Sequence, residues 1–494
     1  MRKRIPSTTL PNATNNIERL RFLHQPAEAA PPREDVAVDL FAAVGEVNEV
    51  REVLRRLLSG AIPFDHAEVL HTDYATYVPL IYEMAAGWAA AHPDETETPF
   101  SVPVTFAEGI PAHYGRPGRA LAAWLHWMRE DFDQSLLVRM LHEGLLQIEG
   151  DDATRSGAVT ALRTLPIGSS AERYLVKIDA QMAIVEQKIA AAQIAAAQEE
   201  QDDEDQPGRQ QRSERERANL AALRQLVERL LQLSQVQTGQ ELLASAATFL
   251  SELAYGRTEI DNYARDGLLT DIRSMTRWLP QLGEPTKAQM AAQLESLAER
   301  KRILGSGPRP GKLHVAHVLT GGHSGRRQTF VLGLDDGRFP GHATQDPILL
   351  DSEREQLSEA LARSGEVVER SVQDFIRTLS RTGPQLTLSY PCWDLADDRE
   401  RFPSPLFLAA YRINTGRNEA DQEEVQAALH PPCSFVGTDT VLDETEWWLA
   451  QLCGPRLIKD GEKSLFTRYS HLGSGRLAAA ARQGETFTEY DGCV

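Results

Sequence analysis

Residues 321–328 read Gly-Gly-His-Ser-Gly-Arg-Arg-Gln, and the pair Arg326 and Arg327 beside glycines suits a phosphate. A guanidinium is a planar, permanently charged fork, and glycine lets backbone amides approach an anion closely. The same pair also fits a solvated surface loop, and both readings stand. His323 and Ser324 come directly before it. Further on, Arg381 precedes the apolar run PQLTLSY at 384–390, where a cation at a helix end is favoured by the helix dipole.

Several chemistries find no residues. A phosphate loop needs GxxxxGK[ST], whose amides cradle phosphate while the lysine and hydroxyl serve phosphate and magnesium. The nearest string, SGPRPGKL at 306–313, has Ser306 in place of the first glycine and Leu313 in place of the hydroxyl, and it leads into a strand. Asp179 with Glu186-Gln187-Lys188 has the residue types of a metal-dependent nuclease, but it lies in an Ala-rich helical stretch and reads as a surface charge pattern. No GxSxG elbow and no HExxH occurs, and His314 and His317 make no ligand set. Cys392, Cys433, Cys453 and Cys493 are too far apart for a CxxC pair or a disulfide framework, so no metal site is expected from them and a reducing cytoplasm fits.

The elements that must position these residues fall into blocks. Residues 1–35 are polar and proline-dotted and read as a connector. VAVDLFAAV at 36–44 and HAEVLHT at 66–72 read as strands, each followed by a helix: Val47, Val50, Leu54, Leu57 and Leu58 recur at helical spacing, and Tyr74 to Ala91 forms the next. SVPVTFAEGIP at 101–111 reads as one more strand ending in a turn. From about 119 to 302 the pattern is helical, with long helices over 171–199 and 214–235 joined by an acidic-then-basic tip, QEEQDDEDQPGRQQRSERER. Strand character returns in KLHVAHVLT (312–320), QTFVLGL (328–334) and PQLTLSY, with a helix over 351–380. The spacing therefore predicts an α/β fold: a parallel sheet built from 36–112 and 311–390, interrupted by an all-helical domain at 113–310, with 391–494 a turn-rich linker. Asp335 and Asp336 are expected to face solvent in the turn after QTFVLGL.

At 494 residues the chain has room for several domains, and no run of eighteen apolar residues exists to span a membrane. The basic start lacks an apolar stretch behind it and is no secretory signal, so a cytoplasmic protein is expected. A net charge of −19 argues against binding nucleic acid through bulk electrostatics, although a basic groove on an acidic body remains compatible with it.

GGHSGRRQTFVLGLDDGRFPG (321–341), ILLDSEREQL (348–357) and RTLSRTGPQLTLSYP (377–391), in that order, resemble the late motifs of superfamily-one UvrD/RecB helicases, and most closely the B subunit of AddAB-type helicase–nucleases. FAAVGEVNEVREVLRRLLSGAIPFDHAEVLHTDYATY and VPVTFAEGIPAHYGRPGRALAAWLHWM resemble the opening of the second motor domain and the hinge into its inserted helices. The resemblance covers roughly residues 36–410. It implies a RecA-like, P-loop NTPase-like second motor domain and work in double-strand-break end processing and recombinational repair. LSRTGPQLTLSY matches the motif whose arginine reaches the γ-phosphate, which falls on Arg381; the loop residues His323, Ser324, Arg326 and Arg327 would meet DNA. Thr320, His323 and Ser324 keep the family's order, but no Lys-Gly-Leu-Glu follows. ETFTEYDGCV resembles the lead into the family's PD-(D/E)xK nuclease domain. A fragment is thus implied, lacking both the phosphate loop and the nuclease, with no cofactor of its own where the intact family member uses ATP and Mg. Its partners would be DNA and a UvrD-like motor–nuclease subunit, with no membrane. The alternative is a non-catalytic α-helical protein-interaction scaffold.

Overall fold

Short runs of branched and aromatic residues that are buried on both faces build the centre of the chain. The computed structural model describes residues 15–35, 37–91, 102–197, 206–437, 440–453, 458–484 and 486–490. The acidic part of the helical tip, at 198–205, and the terminal DGCV lie outside the described residues. The chain divides into two compact units, residues 1–107 with 306–494, and residues 108–305.

Among the described residues, the main sheet of the first unit is built from six strands: β1 (Val38–Ala43), β2 (Ala67–His71), β3 (Val104–Phe106), β4 (Leu313–His317), β5 (Gln328–Leu332) and β6 (Gln385–Pro391). They form one sheet in the order β1-β6-β5-β2-β4-β3, and every pairing is parallel. Central β2 is buried along its whole length, with Val69 opposite Val315 on one side and Phe330 on the other. Such strands need apolar residues on both faces because helices cover both. β1, β2 and β3 are never neighbours of one another. Each depends on a strand supplied more than two hundred residues later.

Helix α1 (Gly45–Ser59) follows β1 and stops at Gly60, whose amide bonds Arg56 O; α2 (Tyr74–Ala91) follows β2, its first turn held by the Asp73 carboxylate on the amides of Ala75 and Thr76. The sheet packs Leu70, Val331, Leu388 and Tyr390 into a core with Phe339, Phe375 and Phe407. Tyr390 meets Phe407 edge-on at 4.9 Å and Phe339 meets Phe375 at 5.3 Å. Each such ring contributes roughly 1.5–3 kcal/mol by leaving water.

Four sequence expectations require correction. The connector at 1–35 is in part core: Ile17, Leu20 and Leu23 are buried against the sheet, and Arg19 reaches Ile413 O at 2.5 Å. The linker at 391–494 likewise begins inside the domain, with Leu406, Phe407 and Tyr411 buried and Cys433 bridging alongside Ala43. The single strand over 101–111 is two pieces, because Gly109 turns at φ +78 and sends Ile110–Pro111 to pair with Arg302–Ile303 in the other unit. The helix over 351–380 breaks into Asp351–Leu357 and Ser364–Leu379; Asp351 accepts the Ser364 amide and hydroxyl, so one helix start caps the next.

The second unit is helical, as its periodicity predicts. Thr238, Thr258 and Thr286 each close a capping box at the start of a helix. Trp124 stacks on Phe249 at 4.6 Å and donates to Ser234 Oγ, while Trp127 donates to the Tyr174 hydroxyl. Helices Ala171–Ala197 and Gln206–Ser234 pair through Val185, Ile189 and Leu220. Asp179 bonds Arg224 across that pair, which leaves it a helix-pairing charge.

Candidate functional site

The loop at 318–327 must travel from the carboxyl end of β4 to the amino end of β5, and β2 lies between them. It crosses β2 closely: a Cβ on Gly321 would stand 2.2 Å from Leu70 Cδ2, so a larger residue there would force the Leu70 side chain to shift. Val318 N bonds His71 O at the start of the crossing, and Arg327 N bonds His66 O at its end. Glu68, almost fully buried at the start of β2, ties the middle down by accepting from Gly322 N at 3.2 Å and Ser324 Oγ at 2.7 Å. Burial pushes the Glu68 carboxyl up, against the opposing pull of Ser324, Gly322, His323 and Arg326.

The helix Ser364–Leu379 delivers Arg381 to the same end of the sheet, just before β6. Arg381 Nη1 lies 3.1 Å from His323 Nε2, and both residues are exposed. Arg326 turns inward: its Nη2 donates to Arg309 O at 2.9 Å and Lys312 O at 3.4 Å. Arg327 points its exposed side chain outward while its backbone is held on both sides, by His66 O and by the Gln385 amide. The five expected site residues therefore stand together at the amino end of the sheet. Lys312 of the failed phosphate-loop string donates to Val102 O, and Gly311 N bonds Asp65.

The opposite end carries a set of residues that the sequence did not announce. Glu49, from α1, is fully buried and accepts from the Tyr77 hydroxyl at 2.5 Å, Gly333 N at 2.9 Å and the Ser389 hydroxyl. Burial raises its carboxyl to about 7, against the bonds from Ser389, Tyr77 and Gly333. Asp335 corrects the expectation of a solvent-facing turn: it is 3% exposed, while Asp336 is exposed. Arg338 joins Asp335 to Glu46, and Arg401 joins Glu46, Asp335 and Asp394. Burial lifts Asp335 to about 6, while the Arg401 hydrogen bond holds Asp394 down at about 2. Gly333 to Pro340 thus follow the carboxyl end of β5, but as a buried ionic turn. One signal was available: Glu46 and Glu49 lie at helical spacing with Val53 and Leu57, on the face that must be buried.

No family model and no curated protein matches the chain. Among the described residues no group of three or more His, Cys, Asp or Glu side chains is placed to hold a metal ion, and no helix is long and apolar enough to cross a membrane. His314 Nδ1 faces Thr105 Oγ1 at 3.0 Å, and His317 Nδ1 accepts from Leu319 N.

Proposed function

We propose that the chain is a DNA-guiding and scaffold segment of a helicase–nuclease B subunit, serving double-strand-break end processing and recombinational repair. On this reading the sheet is the RecA-like second motor domain and residues 108–305 are the helical domain inserted into it. The observation that carries the reading is the meeting of Arg381 and His323, 3.1 Å apart across 58 residues of chain and open to solvent. Those are the positions at which the resemblance expects the γ-phosphate arginine and the loop that couples it to DNA. Arg381 then presents its fork to a nucleotide held elsewhere, and Arg327, braced by its backbone, presents charge to a DNA phosphate. ATP, Mg and strand cleavage belong to other segments or to a UvrD-like partner subunit, and the isolated chain is a binding surface.

The test is anisotropy of a labelled single-stranded oligonucleotide. Binding should be weak and fall steeply between about 50 and 200 mM salt. Arg327→Glu should weaken it further. Binding that is tight, indifferent to salt and unchanged in Arg327→Glu counts against the proposal.

A second reading, a non-catalytic helical interaction scaffold, has its own support. Arg326 is spent on backbone carbonyls, and Tyr263 and Trp278 stand about half exposed on helix Glu259–Leu282. Salt-independent failure to bind any DNA would favour it.

A further inference from the structure

A cavity of about 670 Å³ opens on the first unit between α1, α2 and helix Glu444–Cys453. Leu54, Phe64, Met84, Trp88, Val104 and Trp447 line it, with Phe64 and Trp88 in edge contact at 5.2 Å. Leu58, Val441 and Trp447, exposed by 39, 38 and 40%, all face this one concavity. Exposed apolar side chains that converge on one pocket of this size are the usual sign of a small-molecule site.

Two further features describe the ligand. Gly87 sits within α2 and lines the cavity, and a Cβ there would meet nothing within 4 Å. Glycine inside a helix is unfavourable, and here it keeps one wall open. Arg51 lines the cavity but is only 7% exposed. Its Nη2 is taken by Asp443 and Glu446, and its guanidinium lies over the Phe435 ring. The positive charge is therefore already matched, and Asp443 and Glu444 in the lining oppose an anion.

We propose that this cavity is a binding site for an uncharged, largely apolar ring compound. The site makes no use of Arg381, His323 or Arg327 and is independent of the reading above.

The test is fluorescence titration of the full chain with neutral N-phenyl-1-naphthylamine, followed by competition. Saturable one-to-one binding is expected. Gly87→Leu, which fills the open wall and improves the helix, should weaken binding by at least about tenfold while the thermal unfolding midpoint holds or rises. In competition, neutral 1-ethylnaphthalene should displace the probe several-fold better than anionic 1-naphthoate. Absence of saturable binding, equal binding by a folded Gly87→Leu protein, or best displacement by anionic 1-naphthoate would each overturn the proposal.

Discussion

The Tyr77 hydroxyl donates to Glu49 Oε2 at 2.5 Å, joining α2 to α1 in the interior at the carboxyl ends of the strands. The bond holds a carboxyl that burial raises from 4.5 to about 7. A folded value above the unfolded one means that the folded chain holds this proton more tightly. The contribution to stability is full below about pH 4.5 and is lost as pH rises through about 7, a difference on the order of 3 kcal/mol. Glu49→Gln should therefore flatten the stability profile between those values and leave the protein more stable than wild type at pH 8. Urea midpoints across that pH range make the measurement. A wild-type profile that rises from pH 5 to 8 would contradict the protonated, buried carboxyl.

Glu446 clamps helix Glu444–Cys453 to α1. It is fully buried and accepts from Arg51, Arg55 and the amides of Gly437 and Leu442. Glu446→Ala leaves two buried guanidinium groups short of a partner and should cost roughly 3–5 kcal/mol. By contrast, Arg381→Ala removes an exposed group and should cost less than about 1 kcal/mol. Chemical denaturation of the two variants side by side checks the contrast.

The interleaved strand order sets a folding requirement. Residues 1–107 supply β1, β2 and β3, none of which pairs with another, so that fragment should lack strand signal in far-ultraviolet circular dichroism. A folded, cooperatively melting 1–107 fragment would be incompatible with the sheet described.

The purified chain should show no ATP hydrolysis above buffer and no magnesium-dependent nuclease activity. Ser306 and Leu313 stand where a phosphate loop needs glycine and a hydroxyl, and Asp179 is engaged with Arg224. DNA-stimulated ATP hydrolysis that disappears in Arg381→Ala would reverse this.

Strands were legible because VDLFAA, AEVLH and QLTLSYP are compact apolar runs that must be covered on both faces. Their neighbours were not legible individually: nothing local in β2 says that it sits between β4 and β5. Nothing local places Arg381 beside His323, which are far apart in sequence; the resemblance named both residues, and their meeting became visible only in the folded chain. Glu49, Glu68, Asp335 and Arg338 were missed, because a charge reads as surface until its tertiary partners are known. Leu54 and Leu58 show the converse: they read as core-facing residues of α1 and instead line a cavity.

The most direct test of the DNA-guiding account is photocrosslinking from p-benzoylphenylalanine placed at position 327, with exposed position 355 as control, to a labelled single-stranded oligonucleotide. Crosslinking from 327 that is lost with added salt and absent from 355 is the expected result. Equal yields from both positions, or none from 327 while the chain retains DNA, would contradict a phosphate-facing loop at the amino end of the sheet.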